Sequence, residues 1–120
     1  MNKIEALLID DDDADRKLIK KQLTEHGKFK LHEAKTLTEA DKILNKTSSI
    51  QIVLLDLSLP ESNRIETVKK FRKAHTFIPF VVLTGLDDED MGLKAIENGA
   101  QDFLIKNKIH DDILARSIYY

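Results

Sequence analysis

The chain has 120 residues, the size of one compact domain, and at that length folding hides roughly two-thirds of the unfolded chain's surface. Hydrophobic residues make up 42% and charged residues 33%, the balance of a folded soluble chain, and the absence of cysteine excludes disulfides, thiolate nucleophiles and Cys-based zinc sites. A net charge of −2 argues against nucleic-acid binding by this chain alone, its four histidines lack ligand spacing, and its apolar runs are too short to span a membrane.

Met1–Glu5 leads into the apolar run Ile4–Ile9 without the apolar stretch of a signal peptide, so the expectation is a cytoplasmic protein. Ile4–Ile9 predicts a strand, and the recurrence of Leu18, Ile19 and Leu23 predicts a helix over 13–26. A second strand is expected at Phe29–Glu33 and a helix at 36–46 on Leu37, Ala40, Ile43 and Leu44, with Thr36 and Glu39 forming a capping box. Ile50–Leu55 reads as a third strand, followed by a helix over 63–74 carrying Ile65, Val68 and Phe71. Phe80–Thr84 predicts the fourth strand, 88–98 the fourth helix on Met91, Ala95 and Ile96, and Asp102–Ile105 the fifth strand. Ile113, Leu114 and Ile118 close the chain in a helix from about His110 to Tyr120. Gly27 and Gly99 sit just past helix ends, where a left-handed residue is wanted, and Pro60 and Pro79 avoid the helical stretches.

Strands and helices alternating in this way predict an α/β fold: a doubly wound, five-stranded parallel sheet with helices on both faces. In such sheets ligands bind outside the carboxyl ends of the strands, so chemistry is expected there.

Strand one runs into Asp10-Asp11-Asp12-Asp13-Ala14-Asp15. Capping by Asp12 or Asp13, with Asp15 in the first helical turn, accounts for three of these carboxylates. Asp10 and Asp11 continue the apolar strand instead, and two adjacent carboxylates there call for a hard cation such as Mg²⁺. Strand three ends in Asp56, where a turn-forming role competes with a third carboxylate around one cation, a phosphoryl-transfer arrangement. Strand four ends in Thr84-Gly85, a hydroxyl that could donate to a phosphoryl oxygen beside a residue that lets the backbone come close. Strand five ends in Lys106, whose ammonium would pair with Asp56 and then with an anion carried on it.

This constellation resembles the receiver domain of two-component response regulators, the CheY-like family, over nearly the whole chain from Ile4 to about Tyr120. The resemblance rests on Asp10-Asp11, on Asp56 in Asp56-Leu57-Ser58-Leu59-Pro60, on Thr84-Gly85, and on Lys106 preceded by Gly99-Ala100-Gln101-Asp102-Phe103. It implies a (βα)5 flavodoxin-like fold with strand order 2-1-3-4-5. It further implies that Asp56 accepts a phosphoryl group from a phosphohistidine or a small phosphodonor, with Mg²⁺ (or Mn²⁺) held by Asp11, Asp56 and the Ser58 backbone carbonyl. Asp10 would act largely through a metal-bound water. Thr84 and Lys106 would bind phosphoryl oxygens, and Thr84 with Phe103 would switch the face made by the fourth helix, fifth strand and fifth helix.

The resemblance also implies a signalling switch that catalyses only its own phosphorylation and dephosphorylation. Its partners would be a sensor histidine kinase or phosphotransfer protein, a downstream output domain or protein, and a second copy through that same face. Three departures stand out: Phe103 where many members have Tyr, Arg64 where they usually have Gly, and Asn107 where Lys106 is typically followed by a cis proline. The terminal Ile118-Tyr119-Tyr120 leads to the expectation that the receiver at 1–120 is a piece of a longer protein. Two other readings compete. A degenerate receiver would signal by contacts alone, without phosphorylation. A small haloacid-dehalogenase-like phosphatase would use Asp10 and Asp12 as its Asp-x-Asp pair and leave Asp56 without a role.

Overall fold

A computed structural model describes residues 3–25, 27–57, 64–85 and 89–106. The elements follow the expected alternation: β1 (Ile4–Ile9), α1 (Asp13–Thr24), β2 (Phe29–Ala34), α2 (Leu37–Lys46), β3 (Ile52–Asp56), α3 (Arg64–Ala74), β4 (Phe80–Thr84), α4 (Glu89–Glu97) and β5 (Asp102–Ile105). All adjacent strands run parallel, in the order β2-β1-β3-β4-β5. The expected fifth helix lies outside the described residues.

The strands differ from expectation at their ends. β3 begins at Ile52 rather than Ile50 and takes in Asp56, and β2 continues through Ala34. Strand pairing decides this: Ala6 meets Ile52 and Ile9 meets Ala34, so the ladder, not the apolar run, sets the boundary.

The central strands are apolar on both faces because each face is covered by helices. Leu7, Ile9, Val53, Leu55, Phe80 and Val82 point to one side, packed with Leu37, Ala40, Val68, Phe71 and Ala95 from α2, α3 and α4. Ala6, Leu8, Ile52, Leu54, Val81 and Leu83 point to the other, against Ile19 and Leu23 of α1. Phe71 and Phe80 meet edge to face, 5.0 Å between ring centroids. Among the described residues no helix is long and apolar enough to cross a membrane.

The helix ends carry the expected devices. Asp12 caps α1 by accepting the Asp15 N–H at 3.0 Å, and Thr36 caps α2 by accepting the Glu39 N–H at 3.1 Å. Glu39 reaches back to the Lys35 N–H at 2.6 Å, one residue before the cap rather than to the cap itself. Gly27 (φ 71°) and Gly99 (φ 112°) occupy the left-handed region past α1 and α4, as their positions in the sequence require.

Candidate functional site

The register places the acidic residues. Ile9 pairs with Leu55, so Asp10 and Asp56, one residue further on each strand, stand side by side at the carboxyl edge. β4 follows β3 and β5 follows β4, with Thr84 opposite Ile105. Lys106, next after Ile105, therefore reaches across the end of β4, and its Nζ lies 3.0 Å from Asp56 Oδ1.

Asp10 is fully buried and Asp56 nearly so, while Asp11 is exposed at the rim. Asp10 accepts the Asp12 N–H at 3.0 Å. Its other oxygen, Oδ2, accepts no hydrogen bond among the described residues, and the Lys106 ammonium stands 3.5 Å away. Burial pushes the Asp10 carboxyl up to about 7; the Asp12 N–H pulls against this, Asp56 adds repulsion, and Lys106 offsets part of it. Carboxylate oxygens of Asp10, Asp11 and Asp56 lie within 4.8 Å of one another. An all-oxygen donor set with a buried, unpartnered oxygen fits a hard divalent cation of the Mg²⁺ or Mn²⁺ kind. Ser58, expected to add a backbone carbonyl, lies outside the described residues.

Burial alone would pull the Lys106 ammonium's pKa down, but Asp15, Asp56 and Asp10 more than offset this and push it up, so the group stays charged at neutral pH. Thr84 is buried at the end of β4, its hydroxyl 3.5 Å from the Leu104 carbonyl, at the limit of a hydrogen bond. With Asp56, Lys106 and Arg64 it lines a cavity of about 170 Å³ beside the acidic cluster. Arg64, singled out in the sequence only as a departure, thus stands on the same cavity as the carboxylate and the ammonium. Asn107 lies outside the described residues.

Two features of α1 differ from the sequence reading. Asp15 was expected only to favour the helix N-terminus; its carboxylate instead accepts from Lys106 Nζ at 2.9 Å. No local signal could have revealed this, because the partners are 91 residues apart. Arg16 was passed over. It is buried, donates to the Asp10 backbone carbonyl at 2.9 Å, pairs with Asp13, and lies 3.5 Å from Glu33. Its signal was present: Arg16 precedes Ile19 by three residues and Leu23 by seven, so it opens the buried stripe of α1.

Phe103 is half-buried on β5, and its ring lies against Gly92 of α4. A Cβ on Gly92 would meet the ring at 2.4 Å, so α4 has a notch that receives the aromatic side chain. Alanine there gains helix propensity, about 1 kcal/mol, but overpacking costs about 1–3 kcal/mol. Gly92→Ala is therefore expected to lower stability in chemical denaturation, and to raise it by about 1 kcal/mol when Phe103 is also alanine. The same sign in both backgrounds would refute the notch.

A model of the response regulator receiver domain matches residues 6–117. The chain belongs to this family. Among the receiver's relatives, the transcriptional regulatory protein SrrA of Staphylococcus aureus is 35% identical over 102 residues, 85% of this chain and 41% of SrrA. The receiver thus spans less than half the length of that relative. NtrX from Brucella abortus has the same fold, with a TM-score of 0.83 at 22% identity over 98% of this chain and 27% of NtrX. A response regulator receiver domain protein from Clostridium thermocellum superposes with a TM-score of 0.79 at 26% identity, covering 97% of this chain and 91% of that one. The chain is accordingly a response-regulator receiver of a two-component system, a signalling switch rather than a turnover enzyme. Family membership also sets the dehalogenase-like reading aside.

Proposed function

We propose that this receiver accepts a phosphoryl group on Asp56 from the phosphohistidine of a sensor kinase or phosphotransfer protein, or from a small phosphodonor. The observation that carries the reading is the pairing of a buried Asp56 with the Lys106 ammonium at 3.0 Å, beside two further carboxylates and an open cavity. One Asp56 carboxylate oxygen attacks phosphorus, forming the acyl phosphate as the bond from phosphorus to the donor breaks. The donor leaves with that electron pair. Lys106 and the Thr84 hydroxyl take up phosphoryl oxygens, and Arg64, a residue lining the same cavity, would add positive charge near the incoming group.

Asp10, Asp11, Asp56 and the Ser58 carbonyl would hold the divalent cation, with Asp10 acting largely through a bound water. Bound there, Mg²⁺ or Mn²⁺ supplies charge neutralisation for the carboxylates and the phosphoryl oxygens. Burial holds the Asp10 carboxyl well above the usual carboxylate range, so a proton competes with the cation there and binding tightens as pH rises through about 7. The readout would pass through Thr84 and Phe103 to the face of α4, β5 and the fifth helix, where an output domain or second copy would dock. We place the receiver at 1–120 as one unit of a longer response regulator, in keeping with its 41% share of SrrA.

The test is metal dependence of phosphoryl uptake. With acetyl phosphate as donor, incorporation is expected with Mg²⁺ and is expected to be absent when EDTA replaces it. Equal incorporation under both conditions would overturn the metal's role. Incorporation under neither, with the chain folded, would favour a receiver that signals by contacts alone.

A further inference from the structure

We propose that Asp15 is a positioning residue for Lys106, holding its ammonium over the mouth of the site in every state of Asp56; the inference rests on the phosphoacceptor reading above. Lys106 has three N–H donors on a flexible four-carbon stem, and an unrestrained ammonium of this kind samples many rotamers. Here two bonds from different elements fix it: Asp56 Oδ1 at 3.0 Å within the site and Asp15 Oδ2 at 2.9 Å on the first turn of α1. Asp10 Oδ2, at 3.5 Å, is a more distant third neighbour.

The two anchors differ in exposure. The Asp56 side chain is 2% exposed and that of Asp15 is 42% exposed, so Asp15 closes the solvent side of the ammonium. Asp15 also stands outside the group of carboxylates able to share a cation, which comprises Asp10, Asp11 and Asp56. Its bond to Lys106 therefore does not compete with metal binding. When Asp56 carries a phosphoryl group, the N–H that pointed to Asp56 turns to a phosphoryl oxygen while the Asp15 bond stays in place. The ammonium need not be found again in each cycle.

A purely structural role for Asp15 is weakened by its bonding. The α1 cap is the Asp12 carboxylate, which accepts the Asp15 N–H, while the Asp15 carboxylate turns away from the helix to the end of β5. Asp15 thus ties α1 across the mouth to Lys106, the residue that follows β5.

The test is a double-mutant cycle on the initial rate of phosphoryl uptake from acetyl phosphate at fixed Mg²⁺, using Asp15→Ala and Asp15→Glu in the parent and in Lys106→Ala. Contacting residues couple by enough to change a rate about 2-fold to 160-fold. Asp15→Ala is expected to slow the parent about fivefold or more, Asp15→Glu to restore most of the rate, and Asp15→Ala to have no effect once Lys106 is alanine. An unchanged rate in Asp15→Ala, or equal slowing in both backgrounds, would overturn the inference. Slowing that Asp15→Glu fails to relieve would also do so, by tying the loss to substitution rather than to the carboxylate. If the Lys106→Ala background is too slow to follow, affinity for beryllofluoride, a phosphoryl mimic, is read in the same set of proteins with the same expectations. A parent that takes up no phosphoryl group at all overturns the functional reading itself, and the inference with it.

Discussion

Asp10→Asn is expected to make the metal-free protein more stable, not less, while weakening Mg²⁺ binding. The Asp10 carboxyl is buried with one oxygen that accepts no hydrogen bond among the described residues, and burial pushes its pKa up to about 7 from an ordinary value of 3.8. A carboxyl whose pKa is raised by folding is protonated in the folded chain while the unfolded chain has already ionised. Stability is therefore fully retained below about pH 4 and falls as pH rises to about 7, by ~4 kcal/mol at about 1.4 kcal/mol per pH unit. Asparagine keeps the shape and the acceptor for the Asp12 N–H but carries no charge to desolvate. Urea denaturation at pH 8 in EDTA should show the variant about 2–4 kcal/mol more stable than the parent, and at pH 4 nearly equal to it. Mg²⁺ should stabilise the parent more than the variant, and increasingly so as pH rises through 7. A variant less stable than the parent at pH 8 would mean that Asp10 is held in place by more than the cation it waits for.

Lys106→Ala is expected to act in the opposite direction. Its ammonium serves Asp56, Asp15 and Asp10 together. Removing one partner of a buried ion pair leaves an uncompensated charge, which costs about 3–5 kcal/mol. Asp10 and Asp56 are buried, but the Lys106 side chain is partly exposed and Asp15 faces solvent, so the lower end of that range, about 3 kcal/mol, is expected at pH 8 without metal. The loss should shrink at low pH, where protonated carboxyls no longer need the cation. The same substitution removes the ammonium that stands against the acidic cluster, so Mg²⁺ should bind more tightly while phosphoryl uptake slows at least tenfold. Isothermal titration with Mg²⁺ and the rate with acetyl phosphate read the two effects separately. Weaker Mg²⁺ binding in the variant would contradict the view of Lys106 as a counter-ion to the metal-site carboxylates.

The fold was legible because each of its rules is local. Runs of Ile, Val and Leu buried on both faces marked parallel strands, the periods of α1 to α4 marked helices, and Asp12, Thr36, Gly27 and Gly99 marked helix ends. The site was legible for a related reason: in this topology, strand ends in sequence become neighbours in space, so Asp10, Asp56, Thr84 and Lys106 could be placed together before any distance was known.

What escaped the sequence reading depends on side-chain reach. Asp15 looked like an ordinary first-turn acid, because nothing in residues 10–15 reveals that an ammonium from residue 106 comes within 2.9 Å. Arg16 occupies an apolar stripe position and stays buried because the Asp10 carbonyl, Asp13 and Glu33 satisfy its guanidinium. Gly92 gave no sign of its role, since a glycine in a helix reads as a cost until the ring of Phe103 is seen to fill the space. Arg64 was visible as a departure from the family pattern, but its place on the cavity beside Asp56 was not.

The most direct test of the central claim is the intact mass of the chain after incubation with Mg²⁺ and acetyl phosphate, comparing the parent with Asp56→Ala. The parent should gain the mass of one phosphoryl group, lost again on mild alkaline treatment as an acyl phosphate requires, and Asp56→Ala should gain none. A parent that binds Mg²⁺ and stays folded yet gains no mass, or an Asp56→Ala chain that gains as much as the parent, would contradict it.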